Sequence, residues 1–165
     1  MSISSVAEDT AVAAAEQTHV SAILERAQQL GRALALDFAG AVPPLDAWAL
    51  VKAGAAKLVD VRTVEERSYV GSVPGSLHVI WATGISQNRN PRFVRELDTK
   101  VRKDDVVLLL CRSAKRSADA AAAATRAGFQ HVYNVLEGFE GDLDERRQRG
   151  RLGGWRSYDL PWEQD

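Results

Sequence analysis

Apolar residues follow two rhythms along this chain. Between His19 and Leu36, Val20, Ile23, Leu24, Ala27, Leu30 and Leu34 recur at three- and four-residue steps, the stripe of a helix lying on the domain or pairing with a second subunit. The small and polar residues 1–18 before it read as a flexible terminus. Pro43-Pro44 breaks the chain, and Leu45 to Ala53 predicts a short helix with Trp48 and Leu50 or Val51 inward and Gly54 as its C-cap. Lys57 to Val61 predicts a strand. Thr63 followed by Glu66 three residues later predicts a capping box. A turn at Val73-Pro74-Gly75 leads to a short strand over Leu77 to Ile80. A polar loop over Thr83 to Asn90 precedes a helix from Pro91 to Val101.

The second rhythm is continuous. Asp105 to Leu110 reads Val-Val-Leu-Leu-Leu without alternation, which suits a parallel strand buried on both faces. An Ala-rich helix over Ser117 to Ala127 stops at Gly128, and Val132 to Val135 is another short strand. Helices alternating with strands predict an α/β fold with a mainly parallel sheet. The tail from Gly138 mixes Arg146, Arg147, Arg149 and Arg151 with Asp142, Asp144 and Glu145, a solvated face rather than a nucleic-acid patch.

Composition narrows the function classes. At 165 residues the chain suits one domain with an appended helix. A net charge of −1 offers no field for nucleic acid. Of its basic residues 16 are Arg and 5 are Lys, and Arg is the better binder of oxyanions. A single Cys excludes an intramolecular disulfide and a Cys-rich zinc or iron–sulfur site. No apolar run approaches the length of a membrane span, and the acidic residues near the N-terminus argue against a signal peptide. The expected compartment is the cytoplasm, and no metal, nucleic acid or membrane is expected as partner. His19, His78 and His131 are scattered, with no metal-site spacing.

The lone Cys ends the most apolar strand and opens the run Cys111-Arg112-Ser113-Ala114-Lys115-Arg116-Ser117, followed by a helix. Side chains at the carboxyl end of a parallel strand face the ligand crevice of an open sheet. The following loop forms an anion-binding nest, and the helix aims its positive end at it. Arg112, Lys115 and Arg116 add positive charge. Each of these favours a thiolate over a thiol. A buried structural Cys is the alternative, but it leaves three cations at a strand–helix junction unexplained.

From Pro44 to Pro161 the sequence resembles a single-domain rhodanese, a thiosulfate-type sulfurtransferase. Leu58-Val59-Asp60-Val61-Arg62 with Glu66 is similar to the family's first signature, and Gly71-Ser72-Val73-Pro74-Gly75-Ser76 to its second. Cys111 to Ser117 is similar to the active loop, Leu136-Glu137-Gly138 to the segment after the next strand, and Leu160-Pro161 to the family's close. The resemblance implies a central parallel five-stranded sheet flanked by helices, with an extra N-terminal helix. The domains are then a flexible terminus (1–18), a helix and linker (19–42) and a rhodanese-like domain (43–165). It also implies a persulfide on Cys111, formed from thiosulfate or a similar anionic donor and passed to cyanide or a thiol, with no other cofactor. The amides of residues 112–116 are expected to hold the persulfide, Arg112 and Lys115 to draw the donor's sulfonate, and Arg116 to close the loop on it. Ser113, Ala114 and Ser117 complete the binding loop. A homodimer through the N-terminal helix is a further expectation.

Four departures stand out: Ala114 where the family has Gly, Ser72 for a His, Phe139 for a Gly, and about a dozen extra residues before Gly154-Trp155-Arg156. The last two are expected near the cleft rim. Asp60 and Arg62 either enter the pocket or support its walls, Arg62 paired with Glu66 and Asp60 capping backbone. Trp81 lines the cleft or packs in the core, Trp48 and Trp155 are core, and Trp162 docks the tail. Arg89, in the loop Asn88-Arg89-Asn90, is a candidate anion guide. A persulfide relay with little turnover and a phosphatase or arsenate reductase of related fold are the competing functions. The phosphatase loop spaces Cys and Arg by one residue more than the four between Cys111 and Arg116.

Overall fold

A computed structural model describes residues 3–165. Its elements run α1 (Ile3–Ala33), β1 (Gly40–Val42), α2 (Pro44–Lys52), β2 (Lys57–Asp60), α3 (Val64–Tyr69), β3 (Leu77–His78), β4 (Ala82–Thr83), β5 (Asn88–Arg89), α4 (Phe93–Asp98), β6 (Val106–Leu110), α5 (Lys115–Arg126) and β7 (His131–Val135). A 3₁₀ turn follows at Trp155–Tyr158. Five strands form one sheet in the order β1-β7-β6-β2-β3, every pair parallel. The expected fold class holds: a parallel five-stranded sheet flanked by helices, with an added N-terminal helix.

The unbroken apolar run of β6 serves two cores, because successive strand side chains point to opposite faces. Val107 and Leu109 pack with Phe93, Leu97 and the alanines of α5. Leu108 and Leu110 pack with Val20, Ile23, Leu50 and Trp155 on the other face. Alanine on α5 lets that helix lie close to the sheet, with Ala120, Ala121 and Ala124 fully buried.

Two boundaries differ from expectation. Helix α1 begins by Ile3, not near His19, so the segment expected to be flexible is helical wherever it is described; residues 1 and 2 lie outside the described residues. Its side chains from Ser4 to His19 are exposed, so no apolar stripe announced this part. The supposed linker before Pro43 contains β1, an edge strand of the sheet. Its three residues are too short for a periodic signal. They are pinned by close backbone packing: a Cβ on Gly40 would collide with the carbonyl of Ala27 in α1. Gln28 of α1 also donates to the Tyr133 hydroxyl on β7 at 3.0 Å. The N-terminal helix is thus built into one core. Among the described residues no helix is long and apolar enough to cross a membrane.

Candidate active site

Strand β6 delivers Cys111 to the carboxyl edge of the sheet, next to β2, whose Asp60 is in register with Leu110. The thiol is 1% exposed. Its Sγ accepts the Ser117 N–H at 3.3 Å, in the first turn of α5, and lies 3.1 Å from the Ser117 hydroxyl oxygen. The loop is clasped from below by the chain after β7. Phe139 N–H donates to the Cys111 carbonyl at 2.7 Å, and Glu140 N–H to that of Arg112 at 3.0 Å. This approach requires Gly138: a Cβ there would lie 2.5 Å from the Arg112 carbonyl.

Ala114 caps α5 in the left-handed region, φ 73°, the conformation that makes Gly the usual occupant of such a site. It does not line the cleft, so its effect is strain and not a narrower pocket. Ala114→Gly removes a left-handed penalty of about 1–2 kcal/mol and adds back about 0.5–1 kcal/mol of unfolded-chain freedom. A net stabilisation of up to about 1 kcal/mol is expected, seen as a higher urea midpoint at constant m.

A cleft of about 780 Å³ opens over the loop. Arg112, Ser113, Lys115 and Arg116 line one side, Thr63 to Glu66 another, and Ile80 with Thr83, Gly84, Ile85 and Gln87 the third. The rim thus comes from the β4–β5 hairpin, where the polar pattern predicted only a loop. Arg89 stacks on Trp81, 4.3 Å from its ring centre, and faces an adjoining cleft instead. Trp81 is 6% exposed and packs edge-on against Phe93. Trp48 meets the buried Trp155 edge-on, and Trp162 packs on Phe139 at the tail.

The cations divide by partner. Arg112 and Lys115 are exposed beside the cleft. Arg116 is instead held by Glu66 in a two-point pair of 2.6 and 2.8 Å. Glu66 also closes the expected capping box with Thr63. Burial alone would raise the Glu66 carboxyl, but the Arg116 guanidinium and the Thr63 amide bring its pKa down to about 2. Arg116 therefore lines the cleft with its guanidinium anchored on Glu66.

Arg62 does not take Glu66. Both Asp60 and Arg62 are fully buried, and they pair with each other: Arg62 Nε donates to Oδ1 at 3.0 Å and Nη2 to Oδ2 at 2.8 Å. Arg67 adds a third donor to Asp60 at 3.0 Å, and the Gly71 carbonyl accepts from Arg62. Asp60 also caps the Arg62 amide. Neither residue enters the cleft; both support its wall. Phe139 is fully buried beneath Arg62, 4.2 Å from ring centre to guanidinium carbon. It is a core residue, not a rim residue, and the added segment before Gly154 also stays off the cleft. Ser72 bridges to Glu163 in the tail.

Asn134 on β7 joins the site with little signature in the sequence. It accepts from the Ser117 hydroxyl at 2.5 Å and donates to the Ala114 carbonyl at 3.0 Å. The only hint was one carboxamide inside a buried strand, Val132-Tyr133-Asn134-Val135.

The rhodanese-like domain family matches residues 44–145. An uncharacterized protein of Rickettsia prowazekii is 33% identical over 109 residues, covering 64% of this chain and 81% of that protein. A senescence-associated protein of Raphanus sativus is 33% identical over 100 residues, 59% of this chain and 54% of its own length. Among solved structures, a crystal structure of a protein from M. tuberculosis is similar with a TM-score of 0.69 and 41% identity, over 78% of this chain and 99% of that one. A rhodanese-like domain from Anabaena shares the fold, with a TM-score of 0.55 and 15% identity over 76% of this chain and 79% of that one.

Proposed function

The chain belongs to the rhodanese-like family, and from that premise we propose that it is a sulfurtransferase carrying sulfane sulfur on Cys111. The observation that carries this reading is the buried thiol at the end of β6, its Sγ accepting the first-turn amide of Ser117, at the root of the loop whose Arg112, Ser113, Lys115 and Arg116 line the cleft. A soft nucleophile beside an anion receptor suits attack on the outer sulfur of thiosulfate. The Cys111 thiolate forms an S–S bond as the sulfur–sulfur bond of thiosulfate breaks. Sulfite departs with the bonding pair, leaving Cys111–S–S⁻. Cyanide or a thiolate then takes the outer sulfur and returns the Cys111 thiolate, a double displacement. Arg112 and Lys115, exposed beside the cleft, draw the sulfonate end; Arg116 and Glu66 hold the wall. No cofactor beyond the covalent sulfur is needed. With one Cys in the chain, no internal thiol takes the sulfur over, so the acceptor is external.

Intact-protein mass spectrometry after incubation with thiosulfate should read a gain of about 32 Da, one sulfur atom, removed by cyanide. Cys111→Ser should gain nothing. No gain with thiosulfate, mercaptopyruvate or a low-molecular-weight persulfide, or a gain that survives the substitution, overturns the reading.

A further inference from the structure

Ser117 has one hydroxyl proton and two buried neighbours that call for it. Its Oγ is 3.1 Å from Cys111 Sγ and 2.5 Å from Asn134 Oδ1. Asn134 settles which of them receives the proton. Its Nδ2 donates to the Ala114 carbonyl at 3.0 Å, and a flipped amide would set two oxygens against each other there. Its Oδ1 therefore faces Ser117 and has no hydrogen to give, so the hydroxyl donates to Asn134. Toward Cys111 the oxygen presents only lone pairs.

The three forms of the cysteine meet this oxygen differently. A thiol fits, because S–H donates to Oγ. A thiolate keeps the Ser117 amide but gains nothing from the hydroxyl unless it turns away from Asn134. Turning would leave the carboxamide oxygen without its donor in a residue that is 5% exposed. A persulfide carries its charge on the outer sulfur, about 2 Å farther along the new bond, and Sγ is neutral. The hydroxyl then stays where it is.

We propose that Asn134 is a positioning residue that holds the Ser117 hydroxyl proton, works against negative charge on Cys111 Sγ and leaves charge on an outer sulfur unopposed. The persulfide half of this statement rests on the proposed sulfur transfer. The charged groups around the thiol are Arg112, Lys115 and Arg116 from the loop and α5, the Asp60–Arg62 pair at the end of β2, and Glu66 on α3, which is taken up by Arg116. The loop cations favour an anion at either sulfur. The Ser117 proton discriminates between the sulfurs, because it acts by contact on Sγ alone. In this way resting Cys111 is kept less reactive toward stray electrophiles than its cationic surroundings would make it, without penalty to the loaded form.

The test is the rate of Cys111 alkylation by iodoacetamide from pH 6 to 9 in the full-length protein, for wild type, Asn134→Ala, Ser117→Ala and the double variant. Freed from Asn134, the Ser117 hydroxyl donates to Sγ, so Asn134→Ala should alkylate about tenfold faster at pH 7, with its profile displaced to lower pH. That acceleration should vanish in the Ser117→Ala background, which separates proton competition from a loosened loop. Ser117→Ala alone should not slow the reaction, since the proton it removes was not serving Sγ. Asn134→Leu fills the same volume without an acceptor and carries the same expectation should the smaller side chain fail to fold. Asn134→Ala alkylating no faster than wild type, an acceleration that persists without Ser117, or a marked slowing by Ser117→Ala overturns the proposal. Alkylation needs no sulfur donor, so this result and the mass gain on thiosulfate stand or fall separately.

Discussion

Asp60→Ala is expected to destabilise the protein by about 3–5 kcal/mol, the range for removing one partner of a buried ion pair. Asp60 and Arg62 are both 0% exposed, and the carboxylate accepts from Arg62 Nε, Arg62 Nη2, the Arg62 amide and Arg67. Without it the guanidinium keeps the Gly71 carbonyl and the face of Phe139, too little for a charge with no access to water. Arg62 Nη1 already lacks a hydrogen-bond partner and leans on its neighbours' charge and on the ring. The discriminating measurement is a urea titration of Asp60→Ala beside Asp60→Ala/Arg62→Met. Removing the second charge should recover much of the loss, since a buried pair replaced by apolar groups of similar volume is often near neutral. A single variant that loses less than about 1 kcal/mol would mean that water reaches Arg62.

The same pair marks where the sequence stopped being legible. Val106 to Leu110 announced a two-sided strand because nothing polar interrupts it, and the Thr63–Glu66 spacing announced a helix start because the capping box is local. Cys111 was legible for a related reason: the end of a buried strand, the loop and the helix start are consecutive, so their convergence follows from chain order. Long-range pairing has no such signature. Arg62 lies four residues from Glu66 and two from Asp60, and the sequence favoured the first. The second pair forms because Glu66 turns toward Arg116, fifty residues away. Asn134 went unread for the same reason, since only the approach of β7 to α5 gives its carboxamide a purpose. Strand β1 was hidden by its shortness, and its place comes from pairing with β7, the buried Val42 and the close approach of Gly40 to α1.

Glu66→Ala should be the second large effect, because one carboxylate joins two structures that form the cleft wall. It completes the cap of α3 through Thr63 and holds the Arg116 guanidinium at both terminal nitrogens, Nη1 and Nη2. With side chains 21% and 14% exposed, the pair falls between surface and buried cases, and a loss of about 1–3 kcal/mol is expected. The functional loss should be larger in proportion. Arg116 immediately precedes Ser117, whose amide meets Cys111 Sγ, so a released Arg116 loosens the residue that positions the thiol. Sulfur loading from thiosulfate should slow by about tenfold or more, the scale of a small misplacement at a reacting centre. A pH titration isolates the charge itself. The Glu66 pKa falls from 4.5 to about 2 on folding, so its contribution is complete above pH 4.5 and is lost as the pH falls toward 2. Wild type should therefore lose stability over that interval more steeply than Glu66→Ala, and the two denaturation midpoints should converge in acid. Midpoints that stay parallel down to pH 2 would assign the difference to the lost cap and packing and leave the Arg116 pair without a stabilising role.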